Sequence, residues 1–164
     1  MKLISSENNP SLINIAALIL RLFAGASMLS HGYPKLEKLM SNHDIQFMDF
    51  LGLGPIITLV LVVLAEVICS VLIILGLLTR VASFILVITM LVAIFVAHGG
   101  DPYAVKEMAV LYFVMYLTIL LIGPGKISID ELFTKKEIRY YLVTNFLFLG
   151  TASKNSIGAI IENG

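Results

Sequence analysis

The sequence has one cysteine and no tryptophan, and only 13% of its 164 residues are charged. A lone Cys69 excludes an intramolecular disulfide and leaves no CxxC pair for thiol exchange. The 11 basic residues are balanced by 11 acidic ones, so no basic surplus attracts nucleic acid. The sequence also has no glycine-rich phosphate loop, no flavin fingerprint and no nucleophile beside an obvious base. We therefore expect no intrinsic cofactor, and any redox group would come from a partner or be the substrate.

What the sequence has in excess is apolar residues. They make up 59% of the chain, and the mean hydropathy is +0.97. A soluble core of this size could not hide so much apolar surface from water. The composition predicts an integral membrane protein surrounded by lipid.

Four apolar runs are close to the roughly 20 residues that a helix needs to cross a bilayer. They cover residues 12–31, 55–78, 81–97 and 106–122, and turn signals such as Gly99-Gly100-Asp101-Pro102 separate them. The connections are short except for residues 33–54. The fold class predicted is all-α, an integral membrane antiparallel four-helix bundle.

Two segments lie outside the predicted spans. Residues 33–54 interleave apolar and charged side chains, which predicts an interfacial segment between spans one and two. Ser128 and Glu131 fit a capping box, which predicts a short juxtamembrane C-terminal helix. Residues 142–149 are apolar but too short to cross. We expect a four-helix domain over residues 1–132 and a cytoplasmic interfacial tail over residues 133–164.

The distribution of lysine and arginine predicts the orientation. The two tails, the loop after span four and the turn at Arg80 carry seven basic residues, whereas the two other loops carry three, Lys35, Lys38 and Lys106. Basic residues favour the cytoplasmic side. Both termini are therefore predicted to be cytoplasmic.

Two charged residues fall inside the predicted spans. If span one ends at Gly32 and span two begins at Pro55, Arg21 and Glu66 each lie 11 residues from the outer end. That is a depth of about 16 Å for both. Because an isolated charge in hydrocarbon is strongly disfavoured, we expect Arg21 and Glu66 to form a buried ion pair or the polar floor of a pocket. The alternative is an ion pair that only fixes the register of the helices.

Several titratable groups should meet at the outer end of the bundle. His31 and His98 close spans one and three, Glu107 lies about one turn into span four, and Lys35 follows His31 by one turn. We predict that His31, His98 and Glu107 line one pocket with Lys35 at its rim. The alternative is that each histidine bonds to loop carbonyls or lipid head groups separately.

At these residues the sequence resembles the DoxX family of small four-span bacterial membrane proteins. The resemblance lies in the order of its motifs over about residues 15–132, with the sharpest part a GPGxxSxD ending. The matching residues are Arg21, His31, Gly32, Lys35, Glu66, Gly76, Arg80, His98, Glu107 and, in that ending, Gly123, Pro124, Gly125, Ser128 and Asp130.

The resemblance implies a membrane partner of oxidoreductases, located in the bacterial inner membrane. The related DoxD type is a subunit of a thiosulfate:quinone oxidoreductase, and other members are associated with redox-defence complexes. The family is also similar in architecture to membrane thiol oxidoreductases, whose cysteine pairs this chain lacks. Candidate partners are oxidoreductase subunits and further copies of the chain.

Three hypotheses follow. In the first, a quinone head group enters the outer half of the bundle, His31 or His98 bonds its carbonyl and relays protons with Glu107, and Arg21 and Glu66 form the floor. In the second, the protein is a non-enzymatic scaffold or a carrier of a small lipophilic ligand. In the third, His31, His98 and Glu107 bind a metal or haem, although they lie near the membrane surface.

Overall fold

The computed structural model describes residues 9–41 and 45–136, and all regular structure within these ranges is helical. Four helices are long and apolar enough to cross a membrane: α1 (Pro10–Met40), α2 (Pro55–Leu75), α3 (Thr79–Ala97) and α4 (Tyr103–Ile122). The four predicted spans are confirmed. With this composition, the chain is a multi-pass membrane protein.

The chain divides into two compact units, residues 1–130 and 131–164. All four membrane helices lie in the first unit. A further helical segment covers residues 129–136, where the capping-box motif predicts a helix. The predicted interfacial run at residues 142–149 lies outside the described residues.

The ends of the helices follow from local sequence. Pro10 occupies the first turn of α1, and the Asn9 side chain caps the helix by accepting a hydrogen bond of 3.0 Å from the Ser11 amide. Pro55 opens α2 in the same position, as predicted. The helix ends at Gly76, whose φ of +69° is left-handed and favours glycine.

Helix α1 is longer than the sequence predicted. It continues through Gly32 and Pro34 to Met40, so the prediction that it ends at the His31-Gly32 turn is wrong. Gly32 is buried against α2, where a Cβ atom would lie 2.9 Å from Val67 Cγ2 and 3.2 Å from Glu66 Cβ. Gly32 is thus a helix-packing residue rather than a helix stop. The connection to α2 is correspondingly shorter than predicted.

Small residues set the antiparallel register of α1 and α2. Gly32 lies opposite Glu66, as described, and a Cβ on Gly25 would meet Ile74 Cγ1 at 2.5 Å and the Ser70 carbonyl at 3.1 Å. One turn further on, Gly76 lies against Arg21. Close approach of the two backbones depends on these glycines.

The core lies between the four helices. Tyr116 of α4 is fully buried and donates a 3.0 Å hydrogen bond to the Ala24 carbonyl of α1, which ties the fourth helix to the first. The apolar residues around it come from every helix: Met28, Cys69, Ile73, Leu86, Met90, Tyr112 and Ile119. Most other large apolar side chains on the four helices are exposed and face the lipid.

Two stretches of membrane helix are π-helical. One is Leu64–Cys69 in α2, which contains Glu66, and the other is Ala93–Ala97 at the end of α3. A π-helical turn contains an extra residue and is frequent at functional sites. The first stretch lies at the middle of α2, and the second lies where α3 ends.

Candidate functional site

Glu66 is 4% exposed and forms a salt bridge with Lys35 of α1. The predicted ion pair between Glu66 and Arg21 is therefore wrong. In the observed register Glu66 lies level with Gly32, whereas Arg21 lies level with Gly76. Ten residues of helix separate the two levels on α2, or about 15 Å. The predicted equal depth of Arg21 and Glu66 assumes that α1 ends at Gly32, whereas the helix continues to Met40.

Arg21 interacts instead with the loop that follows α4. Arg21 is 1% exposed, and its guanidinium donates hydrogen bonds to the backbone carbonyls of Pro124 and Ile127, the second at 3.0 Å. Asp130 interacts with it electrostatically. A buried guanidinium is thus neutralised by carbonyl dipoles and a nearby carboxylate rather than by a carboxylate of α2.

Asp130 also fixes the turn between α2 and α3. Its carboxylate accepts hydrogen bonds from the amides of Leu78 at 2.7 Å and Thr79 at 2.9 Å, which caps the start of α3. Its own amide donates to the Gly76 carbonyl at 2.8 Å. We call Arg21, Gly76, Pro124, Ile127 and Asp130 the loop clamp. It joins α1, the α2–α3 turn and the end of α4.

Replacing Gly76 by alanine is expected to destabilise the protein by about 2 to 4 kcal/mol, from a left-handed φ and overpacking together. A Cβ there would lie 2.7 Å from Ser128 Cβ and 2.8 Å from Arg21 Nη2. Thermal unfolding in detergent measures the effect. Gly52 provides the control, because its φ is +73° but no atom lies within 4 Å of its added Cβ. If Gly52→Ala destabilises as much as Gly76→Ala, packing in the loop clamp is not the cause.

A cavity of about 540 Å³ lies at the other end of the bundle. Its walls are the first half of α2 and the later part of α3, and residues of both π-helical stretches line it through Ala65, Glu66, Ala93 and Ala97. The α1–α2 connection contributes Phe47, Met48 and Phe50. We call this space the α2–α3 cavity. Its volume lies within the roughly 300 to 1,000 Å³ typical of small-molecule sites.

The α2–α3 cavity is apolar except for a few side chains. The buried Glu66 forms an ion pair with the partly exposed Lys35, and His98 lies where α3 ends. The His98 ring is oriented by a 2.8 Å contact between its Nδ1 and the Asp101 carboxylate. Predominantly apolar walls with a few fixed polar groups are the usual character of a ligand pocket.

The structure does not bring the predicted trio His31, His98 and Glu107 into one pocket. Only His98 lines the α2–α3 cavity. His31 is exposed and packs edge-on against Tyr112 of α4, with 5.6 Å between the ring centroids, and Glu107 is exposed on α4. Helical rotation explains the error, because residues at one depth on different helices can face different sides.

The metal hypothesis depended on the same three residues. Within residues 9–41 and 45–136, no group of three or more His, Cys, Asp or Glu side chains is placed to hold a metal ion. Lys35, which the sequence placed at a pocket rim, lies in the α2–α3 cavity as the partner of Glu66.

Sequence reasoning missed the contribution of the α1–α2 connection. Its alternation of apolar and charged residues suggested a segment lying flat on the membrane, yet Phe47, Met48 and Phe50 line the cavity. The Phe50 amide donates to the Thr58 hydroxyl at 3.1 Å, which attaches the connection to the start of α2. The pattern predicts which side chains are apolar but not which surface they cover.

These helices and the α2–α3 cavity define a four-helix membrane protein with a pocket between two neighbouring helices. The family model for DoxX matches residues 16–99, about half of the chain, and the chain belongs to the DoxX family. The match contains Arg21, Lys35, Glu66 and His98, whereas Glu107 and the GPGxxSxD ending lie beyond it.

The chain is also similar to an uncharacterized protein of Haemophilus influenzae. The two are 37% identical over 78 residues, which cover 43% of this chain and 58% of the relative. The matched part of the chain thus spans little more than half the length of that relative. No solved structure matches the chain.

Proposed function

We propose that the protein binds a quinone head group in the α2–α3 cavity and serves as a subunit or accessory of a quinone-linked membrane oxidoreductase. The observation that carries the proposal is the ion pair between the buried Glu66 and the partly exposed Lys35 in a predominantly apolar cavity next to lipid. A quinone combines an apolar ring with polar oxygens at opposite ends. Apolar walls suit the ring, and Lys35 is a hydrogen-bond donor for an oxygen.

The walls of the cavity indicate how such a ligand arrives. Leu61, Ile85 and Ile88 line the cavity and are also partly exposed on the outside of the bundle, where the lipid lies. A lipophilic molecule can therefore pass between α2 and α3 without crossing water. Its isoprenoid tail would remain in the bilayer, which favours a membrane-dissolved ligand over a water-soluble one.

His98 is the residue we propose for proton exchange with water. Reduction of a quinone takes up two electrons and two protons, and imidazole titrates near neutral pH. His98 lines the cavity and contacts the exposed Asp101, so it joins the cavity to the surface. The electrons would come from a partner subunit. His31 and Glu107, predicted to be catalytic, have no place in this site and could act only elsewhere.

Filling the α2–α3 cavity is expected to abolish binding. In Ala93→Phe the added ring would occupy part of the cavity that Ala93 lines, and the affinity for a short-chain quinone should fall at least about tenfold. Binding is measured by titration of the purified protein in detergent, together with extraction of bound quinone. Ala104→Phe is the control, because Ala104 is exposed on α4 and does not line the cavity. Equal binding by both variants and the native protein would refute the site.

A second candidate is a scaffold or a carrier of another small lipophilic ligand. It is favoured by the loop clamp, in which Arg21, Gly76 and Asp130 hold helices together rather than lining the cavity. Extraction distinguishes the two candidates. Co-purified quinone supports the first, and co-purified phospholipid or apolar metabolites with no quinone affinity support the second.

We also propose that the protein lies in the bacterial inner membrane with both termini in the cytoplasm. The support is the seven-to-three distribution of basic residues in the sequence. The α2–α3 cavity would then open in the outer half of the bilayer. Reporter fusions at Gly164 should be active as cytoplasmic reporters. Labelling of the tail from the periplasm would contradict the proposed orientation.

A further inference from the structure

Arg80 is the second residue of α3, at the end of the bundle that carries the loop clamp. Its side chain is exposed, and none of the residues that the structure describes forms a hydrogen bond or an ion pair with it. Arg21, by contrast, donates to the carbonyls of Pro124 and Ile127. The N–H donors of the Arg80 guanidinium are therefore available to a molecule from outside the chain.

The Arg80 guanidinium lies over the turn that ends α4. Gly123 has a φ of +82°, and a Cβ added there would lie 3.5 Å from Arg80 Nε and 3.6 Å from Arg80 Nη2. A shallow groove of about 360 Å³ lies at the same place, between Arg80 and Val81 of α3 and Pro124 of the loop after α4. We call it the Arg80 groove. It shares no lining residue with the α2–α3 cavity.

One acidic residue, Asp130, also lines the Arg80 groove. Its two carboxylate oxygens accept hydrogen bonds from the amides of Leu78 and Thr79. Arg21 interacts with the same carboxylate electrostatically. Because the charge of Asp130 is offset within the loop clamp, the positive charge of Arg80 favours an anion from outside.

The surface next to Arg80 is apolar and exposed. Val81 follows it, and Phe84 lies one turn further along the same face of α3. Leu121 and Ile122 are the last residues of α4. These four residues are 48% to 72% exposed. Such side chains face the acyl chains of a bilayer, whereas Arg80, at the end of a membrane span, lies near the level of the head groups.

We infer that Arg80 binds the phosphate of an anionic phospholipid whose acyl chains lie against the exposed apolar residues of α3 and α4. A planar guanidinium donates two parallel hydrogen bonds to a phosphate. One basic residue at the membrane surface strengthens association with anionic lipid by about fivefold. A free phosphate would accept the same hydrogen bonds but would gain nothing from the apolar surface. This lipid site does not depend on quinone binding.

Competition between two lipids with identical acyl chains tests the inference. The purified protein is placed in mixed micelles with equal amounts of dioleoylphosphatidylglycerol and dioleoylphosphatidylcholine, and the retained lipid is measured by native mass spectrometry. The native protein should retain phosphatidylglycerol in preference by at least about fivefold. Arg80→Met should lower this preference about fivefold. Arg80→Lys should keep part of it, because an ammonium has the charge but not the planar fork.

Lys126→Met is the matched control. Lys126 is exposed in the loop after α4 and does not line the Arg80 groove, and its replacement removes one positive charge from the same end of the bundle. Its preference for phosphatidylglycerol should stay close to that of the native protein. An equal loss in both variants would show that only the total charge at this end attracts lipid, which would overturn the assignment to Arg80.

Two further results would also overturn the inference. The first is equal retention of the two lipids by the native protein. The second is displacement of phosphatidylglycerol by an excess of inorganic phosphate at constant ionic strength, which would show that the site binds a free anion. Both measurements use native protein, and neither outcome affects the proposal for the α2–α3 cavity. Thermal unfolding in detergent verifies that Arg80→Met is folded, as expected for replacement of an exposed side chain.

Discussion

Replacing Lys35 by methionine is expected to destabilise the protein by about 3 to 5 kcal/mol, because it leaves the Glu66 carboxylate buried without a counter-charge. The two partners are not equivalent. The Lys35 side chain is 32% exposed, whereas that of Glu66 is 5% exposed. In Glu66→Gln the lysine can extend towards the surface and regain water, so the loss should be clearly smaller. Chemical or thermal unfolding in detergent measures both.

The double variant Lys35→Met with Glu66→Gln should recover much of the loss, since no unpaired charge remains. Lys126→Met serves as the control for removal of an exposed lysine and should have little effect. Equal losses for Lys35→Met and Lys126→Met would show that Lys35 is not the partner of the buried carboxylate. A double variant as unstable as Lys35→Met would point to packing instead of charge.

Replacing Arg21 by methionine is expected to lower the free energy of unfolding by about 3 to 5 kcal/mol, because two hydrogen bonds from a charged donor are lost. The carbonyls of Pro124 and Ile127 would lose their donor at the same time. Arg21→Lys should give an intermediate loss, because a single ammonium cannot reach two carbonyls with the fixed geometry of a guanidinium. The measurement is again the unfolding free energy in detergent.

Arg80→Met provides the comparison for Arg21. Arg80 belongs to the same end of the bundle but is exposed, and it approaches Gly123, whose added Cβ would lie 3.5 Å from Arg80 Nε. Its removal should cost much less than removal of Arg21. Equal effects would show that a basic charge at this end matters more than the contacts within the loop clamp.

The sequence predicts the spans because composition and length are sufficient for that purpose. It also predicts that Arg21 and Glu66 face the protein interior, since lipid excludes both. It does not predict the partners of either residue. That choice depends on where α1 ends, and a Gly-Tyr-Pro sequence reads equally well as a helix stop or as a packing surface followed by a tolerated proline.

The candidate site was predicted less well than the fold. The sequence places His98 and Lys35 near one end of the bundle and Glu66 in the middle of the second span. The α2–α3 cavity itself depends on two π-helical stretches and on the connection before α2, and neither has a periodic signal in the sequence. An α-helical wheel drawn through Glu66 assumes a constant 100° per residue, so it loses the correct facing within Leu64–Cys69.

The π-helical stretch in α2 has a further consequence for how the chain can vary. It contains Glu66, which pairs with Lys35, and the part of α2 that follows it leads to Gly76 and Arg21. Loss of one residue there would restore a regular α-helix and turn one half of α2 against the other by about 100°. Substitutions in the half of α2 that lines the α2–α3 cavity would leave the helical register of the half that joins the loop clamp unchanged.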